Sequence, residues 1–281
     1  MNQAGVWLEG YAISRETLID AIEALKRLSS EGFVLVGAQA VYLRSPEIEL
    51  PIPPFTLDGD VVVDPRKIRR PRAILESLET AGFTLRGHNG LYHRKNAPLD
   101  QLRATEIDVF VPARFDSEWE MDGFSARDAS AVMSQEGLEL ALVDHSPMLM
   151  EAVGESRLPL LVEVAGIGAL VVAKAWKLGE RYGRGHEEFS SVAKDVLDIY
   201  RLLKASEKER VSAALRSIPQ EARYRDTALK AATYLRDVIT NDGPGIALIY
   251  ELLGEGAESQ IIAASLDALA IEFCSLVDSC L

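Results

Sequence analysis

Two aspartates separated by one residue, Asp58 and Asp60, are the side chains of this sequence best suited to chemistry. They lie in residues 56–63 (TLDGDVVV), where the run of valines predicts a β-strand. Side chains at positions i and i+2 of a strand point to the same face, so the two carboxylates are expected side by side. Carboxylates that close repel each other unless a cation lies between them. The pair therefore predicts a divalent metal site.

A third acid is expected from a second strand-like run, residues 105–111 (TEIDVFV), which contains Asp108. Such sets of acids hold metal ions against phosphate oxygens in phosphoryl transfer. Residues 34–41 (VLVGAQAV) predict a buried strand that breaks at Gly37 into a helix. Gly37 and Ala38 are small enough for backbone N–H groups to approach a phosphate, although Gly37 alone is more typical of a tight turn without a ligand.

These motifs resemble those of the nucleotidyltransferase superfamily, which has a Gly-Ser or Gly-Ala turn after a strand, Asp-x-Asp on the next strand and a later third Asp. The closer resemblance is to the AbiEii-type toxins, including the MenT toxins, which add a Thr-x-Asp-x-Asp strand, a Lys-bearing helix and a Lys-Asp helix. Here these features correspond to residues 56–60, Lys174 and the pair Lys194 and Asp195. The match covers roughly residues 30–205.

Two positions depart from the family pattern. Gly59 stands where an aliphatic residue is usual, and Ala38 replaces the serine of many members. Neither departure removes an expected metal ligand.

The order of elements and the resemblance imply an α+β fold, with a nucleotidyltransferase-type mixed sheet followed by an α-helical C-terminal region. The expected division is a core domain at 1–165 and a helical domain at 166–281 that contributes Lys174 and Asp195 to the site. The resemblance implies a Mg²⁺-dependent toxin that transfers NMP from an NTP to the 3′ end of tRNA, blocking aminoacylation and translation. A cognate antitoxin protein is the partner it implies.

The resemblance also implies a role for each site residue. Catalytic roles are implied for Asp58, Asp60, Lys174 and Asp195, and Mg²⁺ ligation for Asp58, Asp60 and Asp108. Nucleotide contacts are implied for Gly37, Ala38, Arg44, Thr56 and Lys174. Lys174 would act as a point charge on the β- or γ-phosphate, with Asp195 orienting Lys174 or the nucleotide.

Basic residues recur at helical spacing after Gly168, at Lys174, Lys177, Arg181 and Arg184. A stripe of this kind is more commonly a solvated helix face than a phosphate site. The contact of Lys174 with a triphosphate therefore depends on the family resemblance.

The net charge of −13 opposes a nucleic-acid partner, because phosphate contacts need Lys and Arg. The charge is uneven, since residues 237–281 hold eight Asp or Glu and no Lys or Arg. Residues 66–72 (RKIRRPR) hold five basic side chains just after the Asp-x-Asp strand. Such a run is usually a solvated loop, and its place beside the predicted metal site favours RNA binding.

Several features predict a cytoplasmic protein. The N-terminus lacks a signal-peptide pattern, and no apolar run reaches the ~18 residues of a membrane helix. The two cysteines, Cys274 and Cys280, form neither a zinc spacing nor a disulfide framework. His88 and His93 have no metal-ligand spacing to another His or Cys, so no zinc site is expected.

Local signals predict the boundaries of several elements. Ser14 is expected as the N-cap of a first helix, and Ser146 as the cap of a later one. A helix is expected from Pro71 to Gly82, followed by strands at 83–85, 91–93 and 104–111. More short strands are expected within 116–142, and three or four helices after residue 206.

Two other functions remain open from the residues. The same fold could transfer a nucleotide to an antibiotic or to a protein hydroxyl. It could also serve as a non-catalytic binding module, although clustered acids are costly to keep in a cleft without a metal.

Overall fold

The computed structural model of the chain describes residues 3–51, 56–119, 126–153, 157–183, 189–241 and 243–281. Within these residues the fold is α+β, as the sequence predicts, with one mixed sheet and a C-terminal helical region. The chain divides into two units. Unit 1 comprises Met1–Leu43, Pro54–Gln135 and His145–Ala165, and unit 2 comprises Arg44–Pro53, Glu136–Asp144 and Gly166–Leu281.

The sheet belongs entirely to unit 1. Its described strands are β1 (Phe33–Val36), β2 (Asp58–Val63), β3 (Phe83–Leu85), β4 (Leu91–Arg94), β5 (Glu106–Pro112), β6 (Met133–Gln135), β7 (His145–Met150) and β8 (Leu160–Ala165). Their order is β3-β4-β5-β2-β1-β8-β7, with β6 also paired to β5. The pairs β2–β5, β1–β8 and β5–β6 are parallel, and the other pairs are antiparallel.

The described helices of unit 1 support this sheet. They are α1 (Gln3–Lys26), α2 (Gly37–Arg44, whose last residue belongs to unit 2), α3 (Pro71–Thr80) and α4 (Ala126–Ala129). Helix α1 packs on β1, β2, β5 and α3, and its Leu18 and Leu25 are fully buried. Helix α3 begins at Pro71, as the sequence predicts.

Two predicted caps are wrong. Ser14 lies inside α1, where its hydroxyl turns into unit 1 and contacts the Asp58 carbonyl. Ser146 lies in β7, because the β7–β8 hairpin pairs His145 through Met150 with β8 and overrides the local capping signal. Between residues 116 and 142, the described residues contain one strand, β6, rather than several.

The described helices of unit 2 are α5 (Ile167–Gly183), α6 (Phe189–Ala205), α7 (Lys208–Ser217), α8 (Ala222–Val238), α9 (Pro244–Leu253) and α10 (Ala257–Cys280). The predicted helices after residue 206 are confirmed as α7 to α10. Helix α9 has Pro244 in its first turn, where proline is tolerated because its missing N–H would have no partner within the helix.

Two segments differ from the expected division at residue 165. Residues 44–53 join unit 2, where Ile48 O accepts a 2.7 Å hydrogen bond from Arg201 of α6. Residues 136–144 also join unit 2, where buried Glu139 accepts a 3.2 Å hydrogen bond from Thr227 of α8. These contacts connect residues that are far apart in sequence, and no local pattern encodes them.

Helix α10 has the length and composition of a membrane span, with 24 residues and a mean hydropathy of 1.6 in its most apolar window. The sequence pattern predicts no such segment. The helix packs on α6, α7, α8 and α9, and its buried residues include Ile262, Leu266, Ala270 and Val277. A core helix has the same composition, so length and hydropathy alone are weak grounds for a membrane span.

Candidate functional site

The three predicted acids of unit 1 lie together on β2 and β5. The parallel register places Asp60 opposite Asp108, and Asp58 lies two residues before Asp60 on the same strand. One carboxylate oxygen from each of the three lies within 4.8 Å of the others. All three side chains are partly exposed. Oxygen donors in this arrangement suit a hard divalent cation, so the cluster can hold a metal ion.

Gly37 lies directly against this cluster. Its φ of +66° is in the left-handed region that favours glycine. A Cβ atom at this position would lie 1.8 Å from Oδ2 and 2.8 Å from Cβ of Asp60. The β1–β2 register brings the two together, because Val36 is paired with Asp60. Any larger residue at position 37 would therefore displace the Asp60 carboxylate.

Gly59 points to the opposite face of β2, towards α1. A Cβ atom there would lie 2.8 Å from Leu18 Cδ1 and 2.9 Å from Ile107 Cδ1. Leu18 and Ile107 are fully buried. Leu18 therefore fills the space that an aliphatic residue at position 59 would occupy.

Thr56 orients one of the acids. Its side chain is buried, and its hydroxyl donates a hydrogen bond to Asp58 Oδ1. Ala38, beside Gly37 in the first turn of α2, is also buried. Arg44 is half-buried at the other end of α2. Of the expected nucleotide contacts, Gly37 and Thr56 therefore lie at the acids.

Glu106 and His93 border the cluster, and they are not among the site residues predicted from the sequence. Glu106 is paired with Asp58 across β5 and β2, and His93 of β4 is paired with Glu106. Burial raises the pKa of Glu106, His93 opposes that shift, and Asp58 reinforces it. The two-residue spacing of Glu106 and Asp108 on one strand was the available signal.

In unit 2, Lys174 lies in a buried ionic cluster between α5 and α6. Its Nζ is 2.7 Å from Asp195 Oδ1 and 2.7 Å from Asp198 Oδ2. The three side chains are at most 7% exposed. Burial lowers the pKa of Lys174, but the two carboxylates outweigh that effect, and the pKa lies above its usual range.

The basic stripe faces acids of α6. Arg181 Nη1 is 2.7 Å from Asp195 Oδ2, and Lys177 Nζ is 4.0 Å from Asp195 Oδ1. Burial raises the pKa of Asp195, but Lys174, Lys177 and Arg181 together outweigh that effect, and the net pKa is below its usual range. Arg184, the last member of the stripe, lies outside the described residues. The stripe therefore contributes to packing of α5 on α6, with Lys177 half exposed at its edge.

The basic run after β2 is partly neutralised. Three of its side chains pair with acids: Arg66 with Asp64, Lys67 with Glu31 and Arg72 with Glu76. Arg69 and Arg70 are exposed and have no ion pair within the described residues. These two arginines are the cations of the run that remain available to a partner.

No known family model matches this chain, and a search of curated proteins finds no significant match.

Proposed function

We propose that the chain is a Mg²⁺-dependent nucleotidyltransferase that transfers NMP from an NTP to a hydroxyl group. The observation that carries this proposal is the convergence of Asp58, Asp60 and Asp108 to within 4.8 Å beside the Gly37 turn. The resemblance of the same residues to the nucleotidyltransferase pattern supports it. Three clustered acids repel one another unless a cation lies between them, which argues against a non-catalytic module that binds no metal.

In the proposed reaction, the acceptor oxygen bonds to the α-phosphorus, and the bond from that phosphorus to the β-phosphate oxygen breaks. The hydroxyl proton passes to solvent water, and pyrophosphate leaves with the electron pair of the broken bond. Bound Mg²⁺ would lower the pKa of the hydroxyl and neutralise charge on the leaving group. Asp58, Asp60 and Asp108 would hold it, with Thr56 orienting Asp58 through its hydrogen bond. Backbone amides at Gly37 and Ala38 would bind phosphate.

The proposed cationic contacts with the triphosphate are Lys174 and Arg44. Asp195 would orient Lys174, which agrees with their 2.7 Å contact in unit 2. A phosphate at Lys174 would compete with Asp195 and Asp198 for the ammonium group. The two carboxylates use two of the three N–H donors of Lys174, so one donor is left for a phosphate oxygen.

The proposed acceptor is the 3′ end of tRNA, and the proposed setting is a cytoplasmic toxin with a cognate antitoxin. This identity depends on the family resemblance. Arg69 and Arg70 favour it, because a chain of charge −13 needs exposed, unneutralised cations to bind a phosphate backbone.

The test is incubation of the purified protein with each α-³²P-labelled NTP, Mg²⁺ and total RNA. Parallel reactions contain an aminoglycoside or a protein mixture in place of RNA. We expect label in the tRNA band, lost when Mg²⁺ is chelated. Label on the antibiotic or the protein alone would show that this molecule, and not tRNA, is the acceptor. The enzymatic proposal would be rejected if no reaction gave label.

A further inference from the structure

The backbone of Asp58 lies beyond the end of the β1–β2 ladder. The last pair of this antiparallel register is Val36 with Asp60. Continued by two residues, the register would pair Asp58 with Ala38, but the chain turns away at Gly37 and Ala38 lies in α2. Strand pairing with β1 therefore stops short of the first acid of the metal cluster.

Two buried side chains bind Asp58 where the ladder stops. Gln39 Nε2 donates to the Asp58 carbonyl at 3.3 Å and to Ser14 Oγ at 2.9 Å. The Ser14 hydroxyl donates to the same carbonyl at 3.4 Å. Gln39 is fully buried, and Ser14 is 1% exposed. The three groups form a closed triangle that joins α1, α2 and β2, which we name the carbonyl clamp.

Packing alone does not explain why a glutamine stands at position 39. Oε1 of Gln39 is buried and accepts no hydrogen bond from the described residues. An unsatisfied buried acceptor destabilises the folded state, and leucine would fill the same volume without one. The amide of Gln39 is therefore explained by the groups to which it donates hydrogen bonds, which are the Asp58 carbonyl and the Ser14 hydroxyl.

The side chain of Asp58 is restrained as well, because Thr56 donates a hydrogen bond to Oδ1. With the clamp on the carbonyl and Thr56 on the carboxylate, both ends of the residue have hydrogen-bond partners. Partners that orient a metal ligand typically change metal affinity by about 10–100-fold when they are removed.

We propose that Gln39 and Ser14 are positioning residues that hold Asp58 in its metal-binding geometry. They act through the Asp58 backbone and do not contact the metal. This inference rests on the metal cluster of the proposed function and is independent of the nucleotide and the acceptor.

The test measures Mn²⁺ affinity of the full chain without nucleotide, by titration followed by electron paramagnetic resonance. Gln39→Leu should weaken Mn²⁺ binding by about 10-fold or more, and Ser14→Ala by a smaller factor. The double variant should lose little beyond Gln39→Leu, because both side chains act on one carbonyl. Thr17→Val is the matched control, since its buried hydroxyl on α1 has no hydrogen-bond partner among the described residues.

Circular dichroism would verify that each variant is folded, and Ser14→Ala carries the test should Gln39→Leu unfold. Folded Gln39→Leu and Ser14→Ala proteins with parental Mn²⁺ affinity would overturn the positioning role alone. An equal loss in Thr17→Val would overturn it too, because the effect would then be general to α1. A parent that binds no Mn²⁺ would overturn this inference together with the metal-dependent function.

Discussion

At the scale of single residues, the candidate metal site depends on close contacts that allow little variation. Gly37 lies so close to Asp60 that a methyl group cannot be placed between them. The acids are also mutually repulsive, so their arrangement gains from a cation. Both features make the site sensitive to the loss or addition of a few atoms.

Gly37→Ala should abolish metal binding through steric displacement of Asp60. The substitution costs about 1–2 kcal/mol for the left-handed backbone and, in addition, moves a ligand. Gly82→Ala is the matched control, because Gly82 has φ +90° and open space where its Cβ would lie. Thermal unfolding should show the backbone cost in both variants, whereas Mn²⁺ titration should show a loss of binding in Gly37→Ala alone. Parental Mn²⁺ affinity in folded Gly37→Ala would contradict the steric argument.

Asp58→Asn and Asp60→Asn should each abolish nucleotidyl transfer and leave the unfolding free energy unchanged or slightly higher. Each substitution removes a ligand and also removes charge repulsion from the metal-free cluster. Transfer of labelled NMP and chemical denaturation measure the two effects. Asp100→Asn, an exposed acid of unit 1, serves as the control. Asp108→Asn should behave like the first two, and full activity would remove it from the ligand set.

The sequence could predict part of this site because strand alternation is local. Asp58 and Asp60 share a face for that reason alone. The strand pattern identified the run that carries Asp108, but the pairing of Asp60 with Asp108 depends on the β2–β5 register, which no local pattern encodes. The position of Leu18 beside Gly59 depends on how α1 packs on the sheet, and nothing local encodes that contact.

At the scale of elements, the two helices α5 and α6 are joined by buried charge. Lys174, Asp195 and Asp198 form contacts of 2.7 Å that withdraw all three groups from water. The helices themselves were predictable from their spacing, but the burial of Lys174 depended on which acids of α6 it would face. A local pattern of basic residues does not distinguish a solvated stripe from this arrangement.

Lys174→Ala should destabilise unit 2 by about 3–5 kcal/mol, because Asp195 and Asp198 would remain buried without their central cation. Lys177→Ala should change stability by less than about 1 kcal/mol, since its ammonium is half exposed. Urea denaturation followed by helical circular dichroism measures both. Equal small effects would contradict the buried-cluster interpretation. Because Lys174→Ala is expected to be less stable, its use of NTP should be assayed only under conditions where the variant is folded.

The same cluster predicts a loss of stability in acid. The folded pKa of Asp195 is below its unfolded value, so its contribution is present above about pH 4 and is lost as the pH falls through the folded pKa. Asp195→Asn should therefore be less stable than the parent at pH 7, and the difference should shrink as the pH falls below about 4. Urea denaturation at several pH values measures it. A difference that grows in acid would contradict the direction of this shift.

At the scale of the whole molecule, charge is unevenly distributed along the sequence, with a basic run after β2 and an acidic C-terminal region. Residues 237–281 carry eight acids and no Lys or Arg, and this region contains all of α9 and α10. The α+β class was predictable from the order of elements. The composition of unit 2 was not, because residues 44–53 and 136–144 join it through contacts that are distant in sequence.

Substitution of Arg69 and Arg70 by Ala should weaken tRNA binding and make it less dependent on salt. Two lost phosphate contacts reduce the slope of log K against log salt concentration by about 1.5. Arg72→Ala is the matched control, because Arg72 is exposed but already paired with Glu76. Binding of labelled tRNA at several salt concentrations gives the slopes. An unchanged slope in the double variant, or an equal change in the control, would exclude this run as the RNA contact.

The packing of Leu18 over Gly59 has a consequence for how such a chain diverges. The space beside β2 that a side chain at position 59 would occupy is filled here by Leu18 of α1. A large side chain can therefore stand either on β2 or on α1 without any change at Asp58 and Asp60. Leu18 and Gly59 should be able to change only as a pair, large for small and small for large. Either change alone would leave this contact poorly packed or overpacked.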